Sequence, residues 1–99
     1  MAVERLVDFS PRFVRYVDGG VETVLSLELA HGLEFYCLNR EHRHRVHVWF
    51  AGKAPAAAAG PRWQIVGGRG LEDLSLHPSL DAGASCFHVF IHAGEIRRS

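Results

Sequence analysis

Chain breakers recur along this 99-residue sequence at intervals that leave little room for a helical domain. Ser10-Pro11, Asp18-Gly19-Gly20, His31-Gly32, the stretch Gly52 to Pro61, Gly67-Gly68-Arg69-Gly70, Pro78 and Ala93-Gly94 cut it into short apolar runs. Proline fixes φ and brings no N–H donor, and glycine admits positive φ without steric cost, so each of these positions ends a strand or turns the chain. The runs between them predict strands at Arg5 to Phe9, Phe13 to Val17, Val21 to Leu29, Leu33 to Cys37, Arg45 to Phe50, Arg62 to Val66 and Leu71 to Leu76. Cys86 to His92 and Glu95 to Arg98 predict a closing hairpin. From Val21 to Leu29 the alternation sets Val21, Thr23, Leu25, Leu27 and Leu29 on one side, although the same segment also suits a helical turn or two.

Seven or eight short strands at a spacing of about 8 to 12 residues predict an all-β, mainly antiparallel fold. The expected form is one globular domain over residues 1–99, a small sandwich or barrel-like curled sheet with little or no helix. Leu33 to Cys37 and Arg45 to Phe50 flank the polar stretch Leu38 to His44 and read as a hairpin with a long tip. Residues 52–61, GKAPAAAAGP, hold too few alanines for a stable isolated helix and are expected to form an exposed, mobile loop. Val89, Phe90, Ile91 and Trp63 are the expected core, with Phe90→Ala costing about 3 to 5 kcal/mol.

Eleven basic and eleven acidic side chains cancel, which removes any global field toward nucleic acid or a membrane surface. Glu4, Arg5 and Asp8 stand where a signal peptide needs an apolar core, and no run approaches the ~18 apolar residues of a membrane span. A cytoplasmic protein without membrane contact is expected. In that reducing setting two cysteines serve as thiols or metal ligands rather than as a disulfide. Gly67-Gly68-Arg69-Gly70 lacks the third glycine of a dinucleotide fingerprint and the Lys-Ser/Thr of a phosphate loop. Asp73, Ser75, His77 and Ser79 alternate on one short segment, which cannot reproduce the geometry of a hydrolytic triad.

Seven histidines are the compositional outlier. Cys37, His42, His44 and His47 fall within one polar tip, and Cys86-Phe87-His88 puts a second thiol and imidazole on one face of a strand. Together they can supply the tetrahedral set of thiolates and imidazoles that zinc prefers, from Cys37, Cys86, His88 and either His42 or His44. The spacing is not that of a zinc finger, and buried cysteines with solvated histidines fit the same residues. Arg40, Arg43 and Arg45 alternate with His42 and His44, a basic tip that suits phosphate or plain solvation. No aromatic residue interleaves that tip, which ranks a protein partner ahead of nucleic acid.

The motif order adds a resemblance. Phe35-Tyr36-Cys37, then His44 to Phe50, Pro61-Arg62-Trp63, Leu74 to Ser79, and the C-x-H-x-F-I-x-x-G-x-I hairpin from Cys86 to Ile96 follow one another over about two thirds of the chain. In this order they resemble a family of small proteins of unknown function carried largely by phages and prophages. Relatives tend to carry a second cysteine close to the first, where this chain has Leu38 to His42. The resemblance implies a phage-related origin and no activity, with a structural metal for which His42 or His44 stands in as a nitrogen ligand or which this branch has lost. The expected function is a non-catalytic binding or interaction module, with or without a structural zinc, and with an unidentified macromolecular partner. The alternatives are a small metal-dependent hydrolase with Glu41 or Glu95 as general base, and a nucleic-acid-binding module acting through the 40–45 tip.

Overall fold

The computed structural model describes residues 3–39, 41–81 and 87–98, and in them the apolar runs become nine strands in two sheets. The larger sheet holds β1 (Arg12–Val17), β2 (Gly20–Val24), β3 (Gly32–Tyr36), β4 (Arg45–Phe50), β5 (Arg62–Gly67) and β6 (Ser75–His77), in the order β2-β1-β3-β4-β5-β6. The smaller sheet holds β7 (Leu80–Asp81), β8 (His88–His92) and β9 (Glu95–Arg98), with β8 in the middle. Every pairing is antiparallel except β4 with β5, which the 51–61 crossover joins in parallel. Neither sheet closes into a barrel. Among the described residues no helix is long and apolar enough to cross a membrane.

The core follows from the period of two along each strand. Phe13, Leu33, Phe35, Val48 and Phe50 leave one face of the larger sheet and meet Leu80, Val89, Ile91 and Ile96 of the smaller one. Each fully buried side chain of this kind contributes roughly 1.5 to 3 kcal/mol. The β8–β9 turn is made by Ala93 and Gly94, with φ of 50° and 79°, the pair of positive φ values a two-residue hairpin turn needs. It docks against the body of the domain: Gly94 N–H donates to the Leu74 carbonyl and Leu6 N–H to the Gly94 carbonyl, each at 2.9 Å.

Several expectations are corrected. Arg5 to Phe9 is not a strand, because Leu6 and Phe9, three apart, are both buried by a turn of 3-10 helix over Leu6–Phe9. The strand expected to reach Leu29 stops at Val24, opposite Phe13; beyond that pair β1 extends by Arg12 alone, and Pro11 before it has no N–H to donate to a longer ladder. A 3-10 turn over Leu27–Leu29 follows, and Leu25 is 97% exposed. Leu71 to Asp73 form a turn rather than strand, with Asp73 Oδ1 accepting the N–H groups of Arg69 and Gly70 at 3.0 Å. Those two bonds hold the Asp73 carboxyl below its usual range. Phe90 is not in the core: it is 47% exposed, because the smaller sheet is covered on one face only and Phe90 alternates away from it. Trp63 is partly buried, packs against the core, and donates its indole N–H to the Ser79 carbonyl at 3.2 Å.

The opposite face of the larger sheet positions the functional residues. Register puts Arg12, Val14 and Tyr16 of β1, Gly32, Glu34 and Tyr36 of β3, Arg45, His47 and Trp49 of β4, and Arg62 of β5 on this outer side. The 51–61 crossover covers half of it: Ala58, 2% exposed, packs with Val14 and Trp49, and the Arg62 guanidinium donates to the carbonyls of Pro55, Ala58 and Gly60. A Cβ at Gly32 would overlap the Val48 carbonyl and stand 2.9 Å from Trp49 Cε3, so the indole approaches this close only because residue 32 is glycine. The half around Arg12, Glu34, Tyr36, Arg45 and His47 reaches solvent through its basic and aromatic members.

Candidate metal centre

The hairpin tip is shaped by local hydrogen bonds. Cys37 N–H donates to the His44 carbonyl at 2.9 Å, which extends the β3–β4 ladder one step past the sheet. His42 N–H donates to the Asn39 carbonyl at 2.9 Å, and Asn39 Oδ1 accepts the Glu41 N–H at 3.1 Å, a side-chain turn of the kind asparagine favours. The tip therefore doubles back and sets His42 against Cys37, Nδ1 to Sγ 3.9 Å, while Asn39 Nδ2 lies 3.5 Å from His42 Nε2. The His42 and His44 rings lie 5.6 Å apart at 30°.

Cys37, His42 and His44 each offer one ligand atom, all within 4.8 Å of one another. They lie close enough to hold a metal ion. Cys37 is buried, His42 half-buried and His44 exposed. Ligand atoms around tetrahedral zinc stand about 3.3 to 3.8 Å apart, so an ion needs about 1 Å of closure, within reach of side chains on a partly exposed tip. One thiolate with two imidazoles is a donor set suited to zinc and the softer first-row metals.

The centre opens on a cleft of about 500 Å³ lined by Asp8, Phe9 and Ser10, which end the Leu6–Phe9 turn, and by Tyr36, Cys37, His42 and Arg43. Neither Glu41 nor Glu95, the general bases expected for a hydrolase, lines it, and the Asp8 carboxylate already accepts the Arg5 N–H at 3.2 Å.

Of the expected ligands, the fold brings together Cys37, His42 and His44, both tip histidines rather than one of them. Cys86 lies outside the described residues. His88 is not part of this group: it sits on the outer side of β8, Nε2 2.8 Å from Ser79 Oγ and stacked on Phe90. Phe87 turns inward and packs on Phe35, two residues before Cys37, with ring centroids 6.0 Å apart.

A second cluster left little signal in the linear pattern. Glu34, 3% exposed, accepts from Arg12 Nε and Nη2 at 2.7 Å, from Arg45 Nη1, and from His47 Nε2 at 2.6 Å. Burial pushes its carboxyl upward, but the hydrogen bonds from Arg12, Arg45 and His47 outweigh it and hold the group below the ordinary carboxylate range. Arg45 Nη2 donates to the Tyr36 hydroxyl at 3.2 Å, and with Glu34 this raises the guanidinium above its usual value. The Arg45 guanidinium lies over the Tyr36 ring, 5.1 Å from its centroid, and His47 stacks on Trp49 at 5.9 Å and 17°. The one hint available in sequence was a lone acid inside the apolar run Leu33-Glu34-Phe35; its partners come from other strands and appear only with the register.

Compared with protein-family models, with curated proteins and with solved structures, the chain matches none.

Proposed function

We propose that this domain is a non-catalytic interaction module whose β3–β4 tip is held by a zinc ion on Cys37, His42 and His44. The observation that carries this reading is the convergence of those three ligand atoms within 4.8 Å on a loop that otherwise has few apolar side chains to fix it. Its resemblance to small phage and prophage proteins supports the same reading, as does a cleft beside the ligands wide enough to take a partner's side chain. A metal at the tip supplies folding energy, because the ligands are not assembled in the unfolded chain.

The cleft favours one second reading. Three protein ligands beside an open cleft leave a coordination position for water, the arrangement of a small zinc hydrolase. The two readings differ in ligand count, with Cys86 the natural fourth.

The test is metal analysis of protein purified without a histidine tag, followed by cobalt substitution. About one zinc per chain is expected, lost in Cys37→Ser and in His42→Ala but kept in His92→Ala, with chelator lowering the melting temperature. Thiolate-to-cobalt charge-transfer bands of two-thiolate strength, halved by Cys86→Ser, mark a closed structural site; one-thiolate strength with exchangeable water marks the open one. Protein that holds no metal and melts identically with and without chelator overturns the metal reading.

A further inference from the structure

We infer that the outer face of the larger sheet, around Tyr36, Arg45, Arg12 and His47, binds single-stranded nucleic acid. The inference uses none of the metal ligands and goes beyond the zinc-held tip. It removes the ground on which a protein partner ranked first: the aromatics missing from the basic tip in sequence arrive beside the basic residues through strand pairing.

Three observations carry it. The first is charge. The chain as a whole is neutral, yet the strand residues on the open half of this face carry Arg12 and Arg45 against one carboxylate, Glu34, while Glu22 lies on the opposite face of β2 and pairs with Arg15. The second is how the charge is held. Glu34 is buried beneath the Arg12 and Arg45 guanidiniums, which remain 39% and 42% exposed at the side chain, so one anion aims two cations outward. A guanidinium has five donors; Arg12 and Arg45 each commit two to Glu34 and Tyr36, and the others can meet phosphate oxygens.

The third is stacking. Tyr36 is 41% exposed and backed by the Arg45 guanidinium, and His47, 41% exposed at its side chain, is backed by Trp49. Each presents a ring already supported from behind, which is what a base needs from a stacking platform. Tyr36 pairs directly across the sheet with Arg45, and the row Arg12, Glu34, His47 runs beside them on β1, β3 and β4. Aromatic faces interleaved with guanidiniums on an open sheet suit a strand whose bases are unpaired; the stacked bases of a duplex have no free faces to offer.

The experiment is fluorescence anisotropy of labelled oligothymidylate and oligouridylate with the full chain at low salt, against the corresponding duplex and against polyglutamate as competitor. Single strands should bind in preference to duplex, with log K falling against log salt at a slope of about −1.4 for two phosphate contacts. Tyr36→Ala, at an exposed position, should weaken binding roughly 5- to 150-fold while melting as wild type does, and Tyr36→Phe should restore it. Arg12→Gln should reduce the slope by about 0.7. Absence of binding, equal binding of duplex, full affinity in Tyr36→Ala, or displacement by polyglutamate at matched charge, which would mark an acidic protein partner, each overturns the inference. Zinc content is measured on the same samples, so a metal-free protein that still binds overturns the metal reading alone.

Discussion

Glu34→Gln removes the anion on which the outer face is built while keeping the side chain's shape. In the wild type one carboxylate oxygen accepts from Arg12 and Arg45 and the other from His47, with Glu34 itself 3% exposed. Each hydrogen bond to a charged group is worth about 1.5 to 3 kcal/mol, and orphaning a fully buried ion pair costs about 3 to 5. The full figure does not apply, because the Arg12, Arg45 and His47 side chains are about 40% exposed and water can rehydrate them. A glutamine oxygen can still accept from Arg12 and Arg45, but its amide N–H group then faces the His47 donor. The expected loss is about 2 to 3 kcal/mol, or roughly 10 to 20 °C in melting temperature for a domain of this size. The pH dependence has a definite sign. Burial raises the Glu34 carboxyl and the three hydrogen-bond donors lower it further than that, so it titrates in the fold below its usual value of 4.5. Its contribution is therefore present above that value and disappears as pH falls through the folded-state pKa. Urea denaturation followed by circular dichroism should separate the two proteins at neutral pH and bring them together in acid. A neutral-pH difference below about 0.5 kcal/mol, or one that persists undiminished in acid, would refute the reasoning.

Two further outcomes test the core. Gly94→Ala places a Cβ 2.6 Å from the Glu72 carbonyl carbon at a φ of 79° and should cost at least about 2 kcal/mol in thermal melts; a wild-type melting temperature would mean that the closing turn does not dock on the 70–74 loop. Ile91→Ala, at a position 1% exposed, should cost about 2 to 5 kcal/mol, while Phe90→Ala, at 47% exposure, should cost less than about 1.5; the reverse order in denaturant midpoints would contradict the orientation of β8.

The turns were legible because their chemistry is local. Asp18-Gly19-Gly20 and Ala93-Gly94 each turn a hairpin, and β4 spans the same residues, Arg45 to Phe50, that its apolar run predicts. What failed to show was anything set by neighbours in space. Alternation alone could not show that β2 loses its partner after Val24, nor that β8 is covered on one side, and both depend on what lies opposite. The candidate centre divides the same way. Cys37, His42 and His44 belong to one tip and were visible together, whereas pairing His88 with them needed a long-range contact, and the structure instead joins His88 to Ser79. Glu34 was the least legible, since Arg12, Arg45 and His47 reach it from two other strands.

Both proposals meet on one hairpin. Glu34 and Tyr36 on β3, with Arg45 and His47 on β4, form the stem, and Tyr36 opposite Arg45 is its last strand pair before the tip that carries Cys37, His42 and His44. At its other end the stem is anchored, because Trp49 lies close against Gly32 and is covered by the crossover at Ala58. At the tip Cys37 and Leu38 turn into the core while His44 is exposed, and among the described residues the ladder continues beyond Tyr36 through the bond from Cys37 N–H to the His44 carbonyl. An ion on Cys37 and His44 would close that bond from both sides, and with it the pairing that holds the Arg45 guanidinium over the Tyr36 ring. Metal occupancy at the tip and order in the aromatic and basic row would in this way be linked through one pair of strands. The link predicts its own direction: chelation should loosen Tyr36 and Arg45 before it reaches Trp49, whose burial does not depend on the tip.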